Sequence, residues 1–167
     1  MKMSLPIPII GFATTPEYSD VSPAAFHGCP PHRAPRVVRE SALAGETGWV
    51  SVTRHTLETR FPQVFAIGDV VSIPLNLGKP LPKAGVFAHV EAQVVAKNIA
   101  SRILGRNASE RFNGHGACFI ETGNGQAGYG GGDFYAEPKP LVKFRAPAWR
   151  WHLAKVLLEK SWLHLKV

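Results

Sequence analysis

The hydrophobic pattern along the chain changes period several times, and each change marks a predicted element. In residues 1–30, Pro6, Pro8, Pro16, Pro23 and Pro30 interrupt every run, so neither a long helix nor a regular ladder is predicted there. Residues 36–44, RVVRESALA, predict a short helix stopped by Gly45. GWVSV, residues 48–52, alternates as a short strand does. VFAIGD, residues 64–69, is a nearly unbroken apolar run that suits a strand buried on both faces of a parallel sheet. A loop with Pro74, Pro80 and Pro82 follows. Residues 84–104 then give the clearest helix. Ala88, Ala92, Val95, Ile99 and Ile103 recur at three- and four-residue steps, His89, Gln93 and Lys97 form a polar stripe, and Gly105 caps the end.

The last third begins with a short predicted strand at residues 117–120, and DFYA, residues 133–136, resumes an apolar, aromatic character. Residues 149–167 are helix-like, with Trp151, Ala154, Leu158, Trp162 and Leu165 at helical steps and Lys155, Glu159 and Lys166 on another side. Between these elements, Gly123, Gly125 and Gly128 spell G-x-G-x-x-G, the fingerprint of a dinucleotide-binding turn. That fingerprint needs a helix starting at the turn, because the free N–H groups of the helix meet the pyrophosphate. YGGGDFYAEPKP, which follows Gly128, cannot make one, with three more glycines and two prolines. The motif reads as a decoy. The expected structure is two antiparallel strands, CFIE and DFYA, joined by a glycine-rich turn.

Composition narrows the picture without naming a function. The chain has 167 residues, 45% of them apolar, which is enough for one packed core. Its net charge of +7 comes from scattered lysines and arginines, with no nucleic-acid fold motif, so nucleic-acid binding is not expected. Cys29 and Cys118 stand far apart, which argues against a disulfide scaffold or a structural zinc site. The seven histidines show no metal-ligand clustering, and structural or surface roles are expected for them. No apolar stretch is long enough to predict a bilayer-spanning helix. The first twenty residues make a poor signal peptide. A cytoplasmic address is expected, with peripheral membrane contact as a further option.

The chemistry concentrates in TRFPQVFAIGD, residues 59–69. A strand ending in Gly68-Asp69 puts a carboxylate where open α/β sheets bind ligands, and glycine allows close approach to the backbone. The free N–H groups at the start of the following helix can face an electron-rich ring or an anion.

With KAGVFAHVEAQVVAKNIASRILG behind it, this stretch resembles the C-terminal FAD motif of the two-dinucleotide-domain flavoproteins. Within them it most resembles the sulfide:quinone oxidoreductase family, with its type II NADH dehydrogenase relatives. GACFIETGNGQAGYGGGDFYAEPKP and WHLAKVLLEKSWL resemble that family's C-terminal region. The resemblance implies an α/β fold forming the C-terminal part of an FAD/NAD(P)-binding flavoprotein, with an antiparallel strand pair and a C-terminal amphipathic helix. It implies that the N-terminal Rossmann half is missing. Residues 1–30 are then a segment without family match, 31–106 the C-terminal part of the FAD/NAD(P)-binding domain, and 107–167 a C-terminal domain. By resemblance, Asp69, with Gly68 before it, binds the ribityl hydroxyls of FAD, and the backbone of Lys83, Ala84 and Gly85 faces the pyrimidine edge of the flavin. Cys118 is the implied catalytic residue, a thiolate beside the flavin that carries sulfur; its alternative is a small buried hydrophobe. Glu121 is expected to be a hairpin surface charge, with a proton relay near quinone as the alternative.

The implied function is electron transfer from sulfide to quinone through FAD. The alternatives are an NAD(P)H:quinone oxidoreductase, a catalytically inactive remnant, or a subunit that complements a separate N-terminal half or pairs with a second copy. The three tryptophans and the basic residues of the C-terminal helix suit either a membrane interface or packing on the missing half.

Overall fold

The computed structural model describes residues 32–76 and 78–165; the irregular segment expected at residues 1–30, with Cys29 and His27, lies outside them. In chain order the elements are α1 (Arg36–Arg39), β1 (Val50–Ser51), a 3-10 turn (Gly68–Val70), β2 (Val71–Ser72), α2 (Gly85–Ile103), β3 (His115–Gly123), β4 (Gln126–Asp133), β5 (Leu141–Ala148) and α3 (Trp149–Leu165). β1 and β2 form a two-stranded parallel ladder, and β3–β4–β5 an antiparallel sheet in that order. The architecture is therefore mixed α/β, as expected, with a larger antiparallel component than the strand pair predicted.

α2 organises the core. Phe87, Glu91, Val94, Val95 and Asn98 are its buried positions, one stripe at helical spacing. Leu57, Val71, Ile73, Leu81 and Phe112 complete a single cluster around it. The predicted apolar face was rotated from this stripe. Ile99 and Ile103 are exposed, and two polar residues stand inside. Both polar residues are satisfied. Asn98 exchanges two hydrogen bonds with the Glu110 backbone, at 2.9 and 3.0 Å, which locks the loop after α2 onto its side.

The run at residues 64–69 is not a strand. Gly68 takes φ +72°, which ends any extended path, and the parallel ladder forms instead at Val71–Ser72 against Val50–Ser51. Residues 64–67 make no ladder of their own beyond one antiparallel bridge between Phe65 and Glu58. The predicted helix at 36–44 is one turn long, because the chain after Arg39 passes into turns and Ser41 bonds its hydroxyl back to the Val38 carbonyl.

The hairpin prediction held in kind and changed in register. Asn124 and Gly125 both have positive φ, 52° and 66°, the conformation of a tight type I′ turn. Gly123, Gly125 and Gly128 therefore belong to the end of one strand, a turn and the next strand, and no helix follows them. Cys118 pairs with Gly130 and Phe119 with Tyr129, so the partner of CFIE is the glycine run and not DFYA. Phe134 and Tyr135 leave the ladder and enter the core rim. β5 was not predicted. Its sequence, LVKFRAPA, contains Pro147 and lacks clear alternation, yet β4 supplies a partner edge for it.

α3 lies on one face of this sheet. Trp151 stacks on Tyr129 with centroids 5.2 Å apart, and Phe119 tilts against the other side of Tyr129. Trp162 meets His89 of α2 edge-on at 5.1 Å. The helix is not amphipathic in the one-sided sense predicted. Trp149, Leu153 and Leu157 form a second apolar stripe on its exposed side, 68%, 46% and 58% accessible.

Candidate functional site

The glycine–aspartate turn is built on α2. The Gly68 N–H donates to Glu91 Oε2 at 2.6 Å, so a carboxylate one helical turn beyond Phe87 fixes the turn's first residue. A side chain at position 68 would press on Ala88 Cβ at 3.3 Å and would also be strained at that φ, so glycine is required twice over. Glu91 is 2% exposed. Burial pushes its carboxyl above the usual carboxylate range, the Gly68 N–H pulls it partly back, and the charge of Asp69 raises it further.

Lys83 closes the other side. Its ammonium donates to the Asp69 carbonyl at 2.5 Å and to the Val71 carbonyl at 2.8 Å, and lies 3.6 Å from the centre of the Trp49 ring. Burial depresses its pKa, and Asp69 and Glu91 offset part of that. Lys83 thus ties the approach to α2 onto the backbone after Gly68. The Asp69 side chain remains at the surface, and among the described residues no hydrogen bond or ion pair occupies its carboxylate. Gly85 opens α2 from an extended Ala84, and the space where its Cβ would stand is empty to 4 Å. Gly68, Asp69, Lys83, Ala84 and Gly85 are therefore gathered at one end of α2. The cleft that Gly68, Lys83 and Ala84 line with Pro82, Phe87 and Glu91 has about 10 Å³, room for one water at most, and Asp69 and Gly85 lie outside its lining.

The strand that carries Cys118 touches this end of α2 through Gly116. Gly116 sits flat against the Phe87 ring, which occupies the space a Cβ would need. Phe87 belongs to the first turn of α2 and packs edge-to-face on Phe134 at 5.0 Å. Cys118 lies two residues further along the same face of β3. Its thiol is half-buried, and burial raises its pKa.

Glu121 points to the other face, where it meets His152 Nδ1 at 3.0 Å and Lys155 Nζ at 3.4 Å and is held below the ordinary carboxylate range by His152 first. It ties α3 to the sheet. Among the described residues no group of three or more His, Cys, Asp or Glu side chains is placed to hold a metal. Glu91 is the site residue that the pattern analysis missed. Its signal was there, a carboxylate in phase with Phe87, Val94 and Val95.

Fold and site together define a mixed α/β chain in which a glycine–aspartate turn is braced on the N-terminal half of a long helix. No family model matches the chain. Over 102 residues it is 32% identical to the mitochondrial sulfide:quinone oxidoreductase of Schizosaccharomyces pombe, covering 60% of this chain and 21% of that protein. Over 120 residues it is 26% identical to the mitochondrial sulfide:quinone oxidoreductase of Mus musculus, covering 71% of this chain and 25% of that protein. The sequence is sulfide:quinone oxidoreductase-like, and the chain spans about a quarter or less of the length of the curated relatives it matches.

Proposed function

We propose that this chain forms the flavin-facing C-terminal portion of an FAD-dependent oxidoreductase that passes electrons from sulfide to quinone. The observation that carries the reading is the Gly68–Asp69 turn, bound through Glu91 to the helix whose open N-terminus begins at Gly85. The residues fit FAD in kind. Asp69 offers unoccupied acceptors to a chain of hydroxyls, and the turn before Gly85 offers backbone to a polar ring edge. The cleft itself has room for one water at most, so Asp69 and the backbone before Gly85, outside it, are the residues that would hold FAD. When bound, FAD supplies the two-electron chemistry. The chain's own work is positioning. Glu91 fixes Gly68, Lys83 fixes Asp69 and Val71, and Gly116 on Phe87 anchors the strand that carries Cys118. The role of Cys118 is that of sulfur carrier. Peripheral membrane contact through α3 belongs to the same reading, and among the described residues no helix is long and apolar enough to cross a membrane.

A second reading replaces sulfide by NAD(P)H as donor. In that reading Cys118 is a small, half-buried bystander opposite Gly130.

The test has two stages. FAD released from the purified, denatured protein is quantified against chain; Asp69→Ala is expected to lower that content, and an unchanged content would remove Asp69 from the site. Quinone reduction is then followed with sulfide or NADH as donor, in a full-length protein that joins this chain to an N-terminal FAD-binding half. Cys118→Ser is expected to abolish the sulfide-dependent rate without lowering FAD content. Full sulfide turnover in that variant would end the carrier role, and turnover with NADH alone would establish the second reading.

A further inference from the structure

The face of the β3–β5 sheet that carries α3 continues past the helix as an open trough. Its floor is Ala117 and Gly131, paired across β3 and β4. Gly131 cannot carry a side chain there, because a Cβ would collide with Ala117 and with the Gly116 carbonyl. The walls are His115, Tyr129, Lys143 and Arg145. Lys143 stands opposite Gly131 and Arg145 opposite Tyr129, so the two cations lie on one face of β5 with the glycine floor beside them. Neither cation makes an ion pair among the described residues. The nearby Asp133 is engaged by His115, at 3.6 Å. Two unpaired cations over a floor without side chains suit an anion with several oxygens.

What lies next to the trough names the source of that anion. β5 passes into α3 without a loop, Ala148 to Trp149. The first residues of α3 add Arg150 to the cations and Trp149 to the exposed stripe that continues through Leu153 and Leu157. Arg145 and Arg150 both stand within 6 Å of the Trp151 ring, so the basic trough and the start of the helix are one continuous surface. An apolar stripe flanked by cations is the arrangement of an interfacial helix. We propose that the trough receives the phosphate of an anionic phospholipid while Trp149, Leu153 and Leu157 enter the lipid surface. This rests on the reading of α3 as a membrane contact and adds the headgroup.

The experiment is co-sedimentation of the full chain with vesicles of phosphatidylcholine alone and of phosphatidylcholine mixed with phosphatidylglycerol. Preference for the anionic vesicles is expected, and Lys143→Gln with Arg145→Gln is expected to reduce it about 30-fold, or about 1 kcal/mol per cation. Lys79→Gln with Arg106→Gln removes the same charge from exposed positions elsewhere and is expected to reduce it less than about 3-fold. Equal losses in the two double variants, or none in the first, would overturn the trough as a headgroup site. Trp149→Ser with Leu157→Ser is expected to weaken binding to both kinds of vesicle. Binding of the unaltered chain to neither kind would overturn the membrane reading and the headgroup with it. Binding of inorganic phosphate to the chain, lost in the Lys143→Gln, Arg145→Gln variant, together with no preference for anionic vesicles, would reassign the trough to a free phosphate ligand.

Discussion

The region around α2 and the β3–β5 sheet solve opposite problems. Around α2, apolar side chains converge from six segments, and Leu57, Ile73, Phe87 and Phe112 are almost wholly covered. In the sheet, half of the central strand is glycine, and large apolar residues stand outside it, Phe144 at 73% exposed and Ile120 at 49%. A glycine-rich strand buries little of its own, so its attachment depends on a few aromatic staples. Phe87 lies against Gly116, and the Tyr135 hydroxyl donates to the Arg54 carbonyl at 2.7 Å. The lesson is a division of labour. The α2 region carries the stability and holds the glycine–aspartate turn, and the sheet presents flat surface and its one cysteine.

The sharpest way to break that comparison is a pair of truncations. Phe112→Ala is expected to cost about 3–5 kcal/mol in urea unfolding, and Phe144→Ala to stay within about 0.5 kcal/mol. Similar costs would place the stability in both layers. Next in size is Glu91→Ala, expected to destabilise by about 1–3 kcal/mol because the Gly68 N–H loses its partner inside the protein. Glu91→Gln keeps an acceptor oxygen and is expected to preserve stability at neutral pH. The native Glu91 binds its proton more tightly folded than unfolded, so its contribution falls as pH rises from the ordinary carboxylate range through its raised folded value. The glutamine variant is expected to lack that slope, and an unchanged pH profile would show that Glu91 does not titrate there.

Gly125→Ala tests the sheet region alone. No atom lies within 4 Å of the new Cβ, so backbone strain at φ +66° is the whole cost, about 1–2 kcal/mol. A neutral result would mean that the turn changes type freely. The smallest effect is expected from Glu58 and Arg102, paired at 3.1 Å at the edge of the α2 region. Arg102 first, and the Gln63 N–H second, hold Glu58 below its ordinary value. Its stabilisation is present above the unfolded carboxylate pKa, about 4.3, and is lost as pH falls through the lower folded value. Arg102→Met is expected to shallow the acid limb of a melting-temperature profile without shifting its neutral plateau.

The sequence alone determined the elements whose signal is local. α2 and α3 carry long helical patterns, and a turn was legible in the glycine-rich stretch after residues 118–121, which the structure places at Asn124–Gly125. The same reasoning identified G-x-G-x-x-G as a decoy, since no helix-forming residues follow it. The tertiary structure decided what depends on partners. A strand exists where an edge is offered, so β5 formed beside β4 despite Pro147, while the apolar run before Gly68 turned away from the ladder. It also decided which stripe of α2 is inside. Glu91 and Asn98 are tolerated there because the Gly68 N–H and the Glu110 backbone, distant in sequence, arrive to satisfy them. Helical period is a property of one chain segment, whereas burial and hydrogen-bond partners are properties of what folds against it.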